Sequence, residues 1–183
     1  MKYQNWRFTL PKDILSSSYS HMWEILRVDA ALGAERVNIH WLTLLYAIFA
    51  LSPTVIPSSP VPSDSHPAII DIESERRTFF LHSLSGRRIA EDLLGLSSSV
   101  SSAPPSVTEC ASYGCLAVIL LVHYMCDRGN VSEAWKMIGS AIRMGQTIGL
   151  HRDPDLYATY AHISQDEQKL RKVTWWLLVI QDR

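Results

Sequence analysis

Charge of either sign is scarce in this chain. Only 19% of its 183 residues are Asp, Glu, Lys or Arg, and 17 basic residues against 18 acidic ones leave a formal net charge of −1. A segment that grips DNA by itself is usually basic, because phosphate contacts are electrostatic. Direct DNA binding is therefore not expected. Cysteine is also sparse: Cys110, Cys115 and Cys126 are three, an odd number that builds no even disulfide framework. Reduced, mostly buried thiols are expected. His123 and Cys126, at i and i+3, offer two metal ligands, but a zinc site takes four and no compatible second pair is present.

Long apolar runs are missing too. The stretches around Trp41–Leu51 and Cys115–Met125 fall short of the ~20 residues that cross a bilayer, so they read as buried helices and no membrane contact is expected. The start, Met1-Lys2-Tyr3-Gln4-Asn5-Trp6-Arg7, has no basic-then-apolar signal pattern, which points to an intracellular protein. No Gly-rich phosphate loop, G-x-S-x-G, H-E-x-x-H or paired carboxylates occur. An enzyme is not expected, and no catalytic residue or cofactor is assigned.

What is present is helical patterning. The 47% hydrophobic content is high for a chain without a membrane span and demands extensive packing. Ile14–Val28 has scattered helical periodicity through Met22, Ile25 and Leu26. Glu35–Leu51 is apolar nearly all round and stops at Ser52-Pro53. A Pro/Ser-rich loop is expected near 52–67 and a second near 97–105, on either side of a helix over Ile72–Leu94 that Gly86 bends or divides. The S-x-x-E box Ser106–Glu109 opens a helix running to about Cys126. After the turn Asp127–Asn130, with Asn130 as cap, Val131, Ala134, Trp135, Ile138, Ala141, Ile142, Gly145 and Ile148 form one apolar stripe. Gly149 is placed for a left-handed helix end, with Leu150 folding back and Pro154 preventing resumption. The box Ser164–Glu167 opens the last helix, with Leu170, Val173, Trp176, Leu177 and Ile180 on one side. The expected fold is all-α: a compact multi-helix array in which a helical hairpin packs against a C-terminal Trp-Trp helix.

Two stretches carry more than periodicity. Gly129–Pro154 reads GNVSEAWKMIGSAIRMGQTIGLHRDP, and Leu170–Arg183 reads LRKVTWWLLVIQDR. Together they resemble the signature of the fungal-specific transcription factor domain, the middle homology or regulatory region of fungal zinc-cluster proteins. That signature has a Gly-Asn or Gly-acidic turn, a Trp, a G-x-A-x-R-M-A helix, L-G-L-H-R-D, then E-x-R-R-R-x-W-W and an Asp-Arg pair. The matching residues are Trp135, Gly139, Ala141, Arg143, Met144, Gly149, Leu150, His151, Arg152, Asp153, Arg171, Trp175, Trp176, Asp182 and Arg183. Gly145 stands where alanine is usual, Lys169 replaces an acid and Val173 replaces the third arginine. The resemblance is tight over 113–183 and loose over 36–183, and 1–35 form a poorly defined N-terminal segment. The regulatory domain is expected over 36–183, truncated at its C-terminus.

The resemblance implies transcription regulation in a fungal nucleus. It implies partners among other parts of a transcription factor or the transcription machinery, with a small-molecule effector and dimerisation as further candidates. DNA would be read only by a six-cysteine zinc cluster absent from this chain, and zinc would belong to that cluster alone. Two other readings stay open: a helical-repeat interaction scaffold, although no second copy at a period of about 34 residues is visible, and a truncated, nonfunctional or dominant-negative regulator. The signature residues have structural readings as well. Adjacent Trp175 and Trp176 point about 100° apart on a helix and are expected to pack against different neighbours. His151 and Arg152 suit the negative end of a helix dipole. Arg143 and Arg171 are expected in buried or half-buried pairs, with Glu133, Asp153 or Asp182 as acids.

Overall fold

The computed structural model describes residues 11–28, 36–52, 72–99, 111–153, 155–156 and 163–183, with the side chains of 72 and 94–99 left aside. These residues form six α-helices and no strand: α1 (Lys12–Val28), α2 (Ile39–Leu51), α3 (Ile72–Ser99), α4 (Ala111–Cys126), α5 (Val131–Thr147) and α6 (Gln165–Gln181). The all-α expectation is met. Residues 53–67 and 100–105 of the expected loops, the box Ser106–Glu109, Cys110 and Pro154 lie outside the described residues.

α4 is the axis of the fold. Fourteen of its sixteen residues are buried, leaving only His123 and Cys126 half-buried, which is why its sequence is apolar in every direction rather than striped. α2 lies parallel to it at one end, where His40 meets Gly114 and Trp41 makes an edge contact with Tyr113 at 5.4 Å between ring centres. α3 runs antiparallel to α2. Ser83 Oγ donates to the Thr43 carbonyl at 2.8 Å, and Arg76 Nε donates to that of Ala50 at the end of α2. α5 folds back along α4, and the Cys115 thiol donates to the Ala141 carbonyl. α6 runs parallel to α4, tied by Ser112 to Glu167 at one end and by His123 to Gln181 at the other. α1 adds Met22 to the core, with Ile14, Leu15 and Leu26 packed against it.

The local signals explain most helix ends. Asn38 Oδ1 accepts from the N–H groups of His40 and Trp41, so α2 starts at Ile39 rather than Glu35. Ser164 accepts from the Glu167 N–H, as its box implies. α4 and α5 both close in a Schellman turn. Gly129 (φ +77°) and Gly149 (φ +74°) take the left-handed position. The bonds Gly129 N–H to Cys126 O with Asn130 N–H to Met125 O, and Gly149 N–H to Gln146 O with Leu150 N–H to Gly145 O, complete the pairs.

Three expectations need correction. Gly86 does not divide α3, which continues through Ser99 and so enters the stretch expected as the second loop. A Cβ at Gly86 would come within 2.6 Å of Thr43 Oγ1, so the glycine serves close approach to α2. Asn130 occupies the cap position of α5, but its side chain makes no capping bond. Glu133 lies in the first turn of α5, at the positive end of the helix, and pairs with Lys136.

Candidate functional site

The signature residues gather on α5, the turn that follows it, and α6, and there they divide into an inward and an outward set. The inward set builds a junction. Ala141 and Leu150 are buried, and Met144 is half-buried against the core. Gly145 lies opposite Leu150, Leu178 and Trp175, where a Cβ would sit at 3.5, 3.5 and 3.7 Å from their side chains. Arg171, buried on α6, donates from Nη2 to the Ile148 carbonyl at 2.7 Å. This satisfies a carbonyl at the end of α5, one of the groups a helix leaves without an internal partner, and places a cation at the negative end of its dipole. This bond of Arg171 is to a backbone carbonyl.

The turn after α5 is held to α6 by charge. Lys172 bridges Asp153, at 3.2 Å, and Asp155. The Asp155 N–H and then the Lys172 ammonium hold the Asp153 carboxyl below its usual range, and the two carboxylates raise the lysine. Lys172 escaped the sequence reading because its acids lie across a turn, with no fixed helical spacing to reveal them. His151 is exposed, with its ring 5.9 Å from that of Trp175. Arg152 is exposed, and its N–H donates to the Gly149 carbonyl.

The outward set departs from expectation. Trp135 is 58% exposed, Trp176 63% and Ile180 62%. The buried positions of α6 are Leu170, Arg171, Thr174 and Leu178; of the expected face, Leu170 is buried and Leu177 packs against the core, whereas Trp176 and Ile180 are exposed. Trp175 packs beside Gly145 while Trp176 is largely exposed. Val131 and Trp135 likewise leave the stripe of α5, whose buried positions are Ala134, Met137, Ile138, Ala141 and Gly145. Arg143 is exposed, not half-buried in an ion pair; Glu133 and Asp153 are paired with Lys136 and Lys172. Its guanidinium lies back over the bare backbone at Gly139, where a Cβ would be 3.6 Å from Nη1. Asp182 caps α6 through its N–H to Leu178, and Asp182 and Arg183 are exposed.

Among the described residues no group of three or more His, Cys, Asp or Glu converges. Burial pushes the Cys115 thiol up to about 12 and raises that of Cys126, so both are disposed to stay protonated near neutral pH. No described helix is long and apolar enough to cross a membrane.

Comparison with known proteins bears on the whole of this arrangement. The fungal specific transcription factor domain matches over residues 21–183, a span that takes in most of α1 as well as the junction. The lactose regulatory protein LAC9 of Kluyveromyces lactis is 38% identical over 63 residues, 34% of this chain and 7% of that protein. The aurofusarin cluster transcription factor aurR2 of Gibberella zeae is 36% identical over 64 residues, 35% of this chain and 8% of that protein. A transcriptional regulatory protein of Schizosaccharomyces pombe, C1F7.11c, is 34% identical over 88 residues, 46% of this chain and 10% of that protein. The aligned stretches thus span 7–10% of these relatives. No solved structure matches.

Proposed function

The chain belongs to the fungal specific transcription factor domain family, and from that premise we propose that it is the regulatory region of a fungal transcription factor, acting in the nucleus through protein contacts rather than through chemistry. The observation that carries this reading is the outward placement of Trp135 and Trp176. Tryptophan is among the residues most enriched where proteins meet, and neither indole is used to build the junction. The near-neutral charge fits a region that leaves DNA reading to a zinc cluster carried elsewhere in such a factor.

The test is a reporter assay. The 183-residue chain is placed between an unrelated DNA-binding domain and an activation domain, and transcription is compared with a fusion carrying a neutral linker of equal length. A regulatory region changes the output, and Trp176→Ala diminishes the change while circular dichroism shows the helices intact. Equal output from chain and linker overturns the proposal.

A further inference from the structure

α2 ends on a serine whose hydroxyl the helix does not need. Ser52 is half-buried and extended, at φ −70° and ψ 133°, and its backbone N–H donates to the Ile48 and Phe49 carbonyls at 2.9 and 3.2 Å. Its hydroxyl donates to the same Ile48 carbonyl at 2.8 Å, so that carbonyl stays satisfied when the hydroxyl proton is lost. The next residue is Pro53. Proline stops the helix and holds the residue before it in extended backbone, and neither effect uses the hydroxyl. A cation already stands at the same helix end. Arg76 of α3 donates from Nε to the carbonyl of Ala50, two residues before Ser52, at 2.8 Å. Its Nη1 is 3.8 Å from Glu73, beyond hydrogen-bond distance, and Glu73 makes its closer contact with Arg128. Glu75 and Arg77, on either side of Arg76, are exposed and cancel in charge.

We propose that Ser52 is a phosphorylation site for a proline-directed protein kinase, and that Arg76 receives the phosphate and clamps the start of α3 to the end of α2. Such kinases take a serine in extended backbone followed by proline, and Ser52 has both. The γ-phosphoryl group of ATP passes to Ser52 Oγ. The Oγ–P bond forms as the bond from that phosphorus to the bridging oxygen breaks, ADP leaves with the electron pair, and the hydroxyl proton goes to the catalytic base of the kinase. A phosphate at a helix C-terminus is opposed by the negative end of the dipole and by itself loosens the last turn. A guanidinium already anchored there turns that repulsion into a charge-assisted, bidentate pair. Arg76 therefore decides the sign of the effect: with it the phosphate ties α2 to α3, and without it the phosphate frays α2. This clamp belongs to the fold of the chain and stands apart from any role in transcription.

The test uses the 183-residue chain with Ser59→Ala, which removes the other Ser-Pro step of the sequence. The chain is incubated with ATP and a proline-directed kinase and mapped by mass spectrometry. Phosphate is expected on Ser52, and Ser52→Ala in the same background is expected to lose it. Phosphorus-31 NMR then titrates the phosphate. Its second ionisation, at about 6 in a free phosphoserine, is expected roughly half a unit lower here, because the guanidinium favours the dianion. Arg76→Gln returns it to about 6, and Arg76→Lys, which keeps a cation, retains part of the shift. Arg77→Gln, the same loss of charge one residue on, leaves the shift in place, with circular dichroism showing each variant folded. A chain that takes up no phosphate at Ser52 overturns the proposal. So does a phosphate that titrates alike with and without Arg76, or one that Arg76→Gln and Arg77→Gln move equally.

Discussion

His40 shows how much one side chain can commit. It is 1% exposed, its Nδ1 lies where a Cβ at Gly114 would come within 2.5 Å, and its Nε2 has no hydrogen-bond partner among the described residues. Burial lowers its pKa to about 4, so the ring is neutral in the fold near neutral pH, whereas in the unfolded chain it titrates near 6.5. The sign follows: between those values the unfolded state binds more protons, so stability is intact above pH ~6.5 and drains away as pH falls toward ~4. Full loss amounts to roughly 3 kcal/mol. His123, also lowered by burial against an opposing push from Asp127, adds to the same slope. Urea unfolding at pH 7 and pH 5 is expected to show a lower midpoint at pH 5. His40→Phe should flatten most of that difference; an unchanged slope in the variant would assign the effect elsewhere.

Among the elements, α4 and α6 mark the two extremes of what a sequence reveals. α4 is legible because every direction around it is apolar, so no choice of face arises. On α6 a choice does arise, and hydrophobicity chooses wrongly: Trp176 and Ile180 are outside, while Arg171 and Thr174 are inside. The inner arginine is accounted for by what it touches, the unpaired Ile148 carbonyl of α5, and that contact comes from tertiary packing, which no periodicity encodes. The turn between these helices was legible for the opposite reason, since Gly149 and Leu150 close it by local bonds alone. Arg171→Met is expected to keep the packing volume but strand a half-buried acceptor, costing about 1 kcal/mol in chemical denaturation. Gly145→Ala should move the other way. A Cβ there meets Leu150, Leu178 and Trp175 at 3.5–3.7 Å, ordinary van der Waals distances, so the helix gains roughly 0.5–1 kcal/mol of propensity without a clash. A lower melting temperature for Gly145→Ala would mean that the junction has less room than these distances indicate.

At the scale of the whole molecule the helices are unequally anchored, and that inequality sets the order in which they open. α4 is enclosed by α2, α3, α5 and α6, with the Ser112–Glu167 and His123–Gln181 bonds tying its two ends to α6. α1 has one buried side chain, Met22, and the Ser18–Tyr113 hydroxyl bond, while Tyr19 and Trp23 are exposed over somewhat less than half of their surface. Opening α1 exposes little apolar surface, whereas opening α4 exposes the core that all the other helices share. Local opening free energies rise with the buried contact that must be surrendered. Amide exchange followed by mass spectrometry is therefore expected to show the α1 amides exchanging first, α5 and α6 later, and α4 only at the rate of global unfolding. Met22→Ala should speed exchange in α1 selectively. If exchange in α4 rises in step with α1 in that variant, α1 is cooperative with the core and its docking is stronger than its buried surface accounts for.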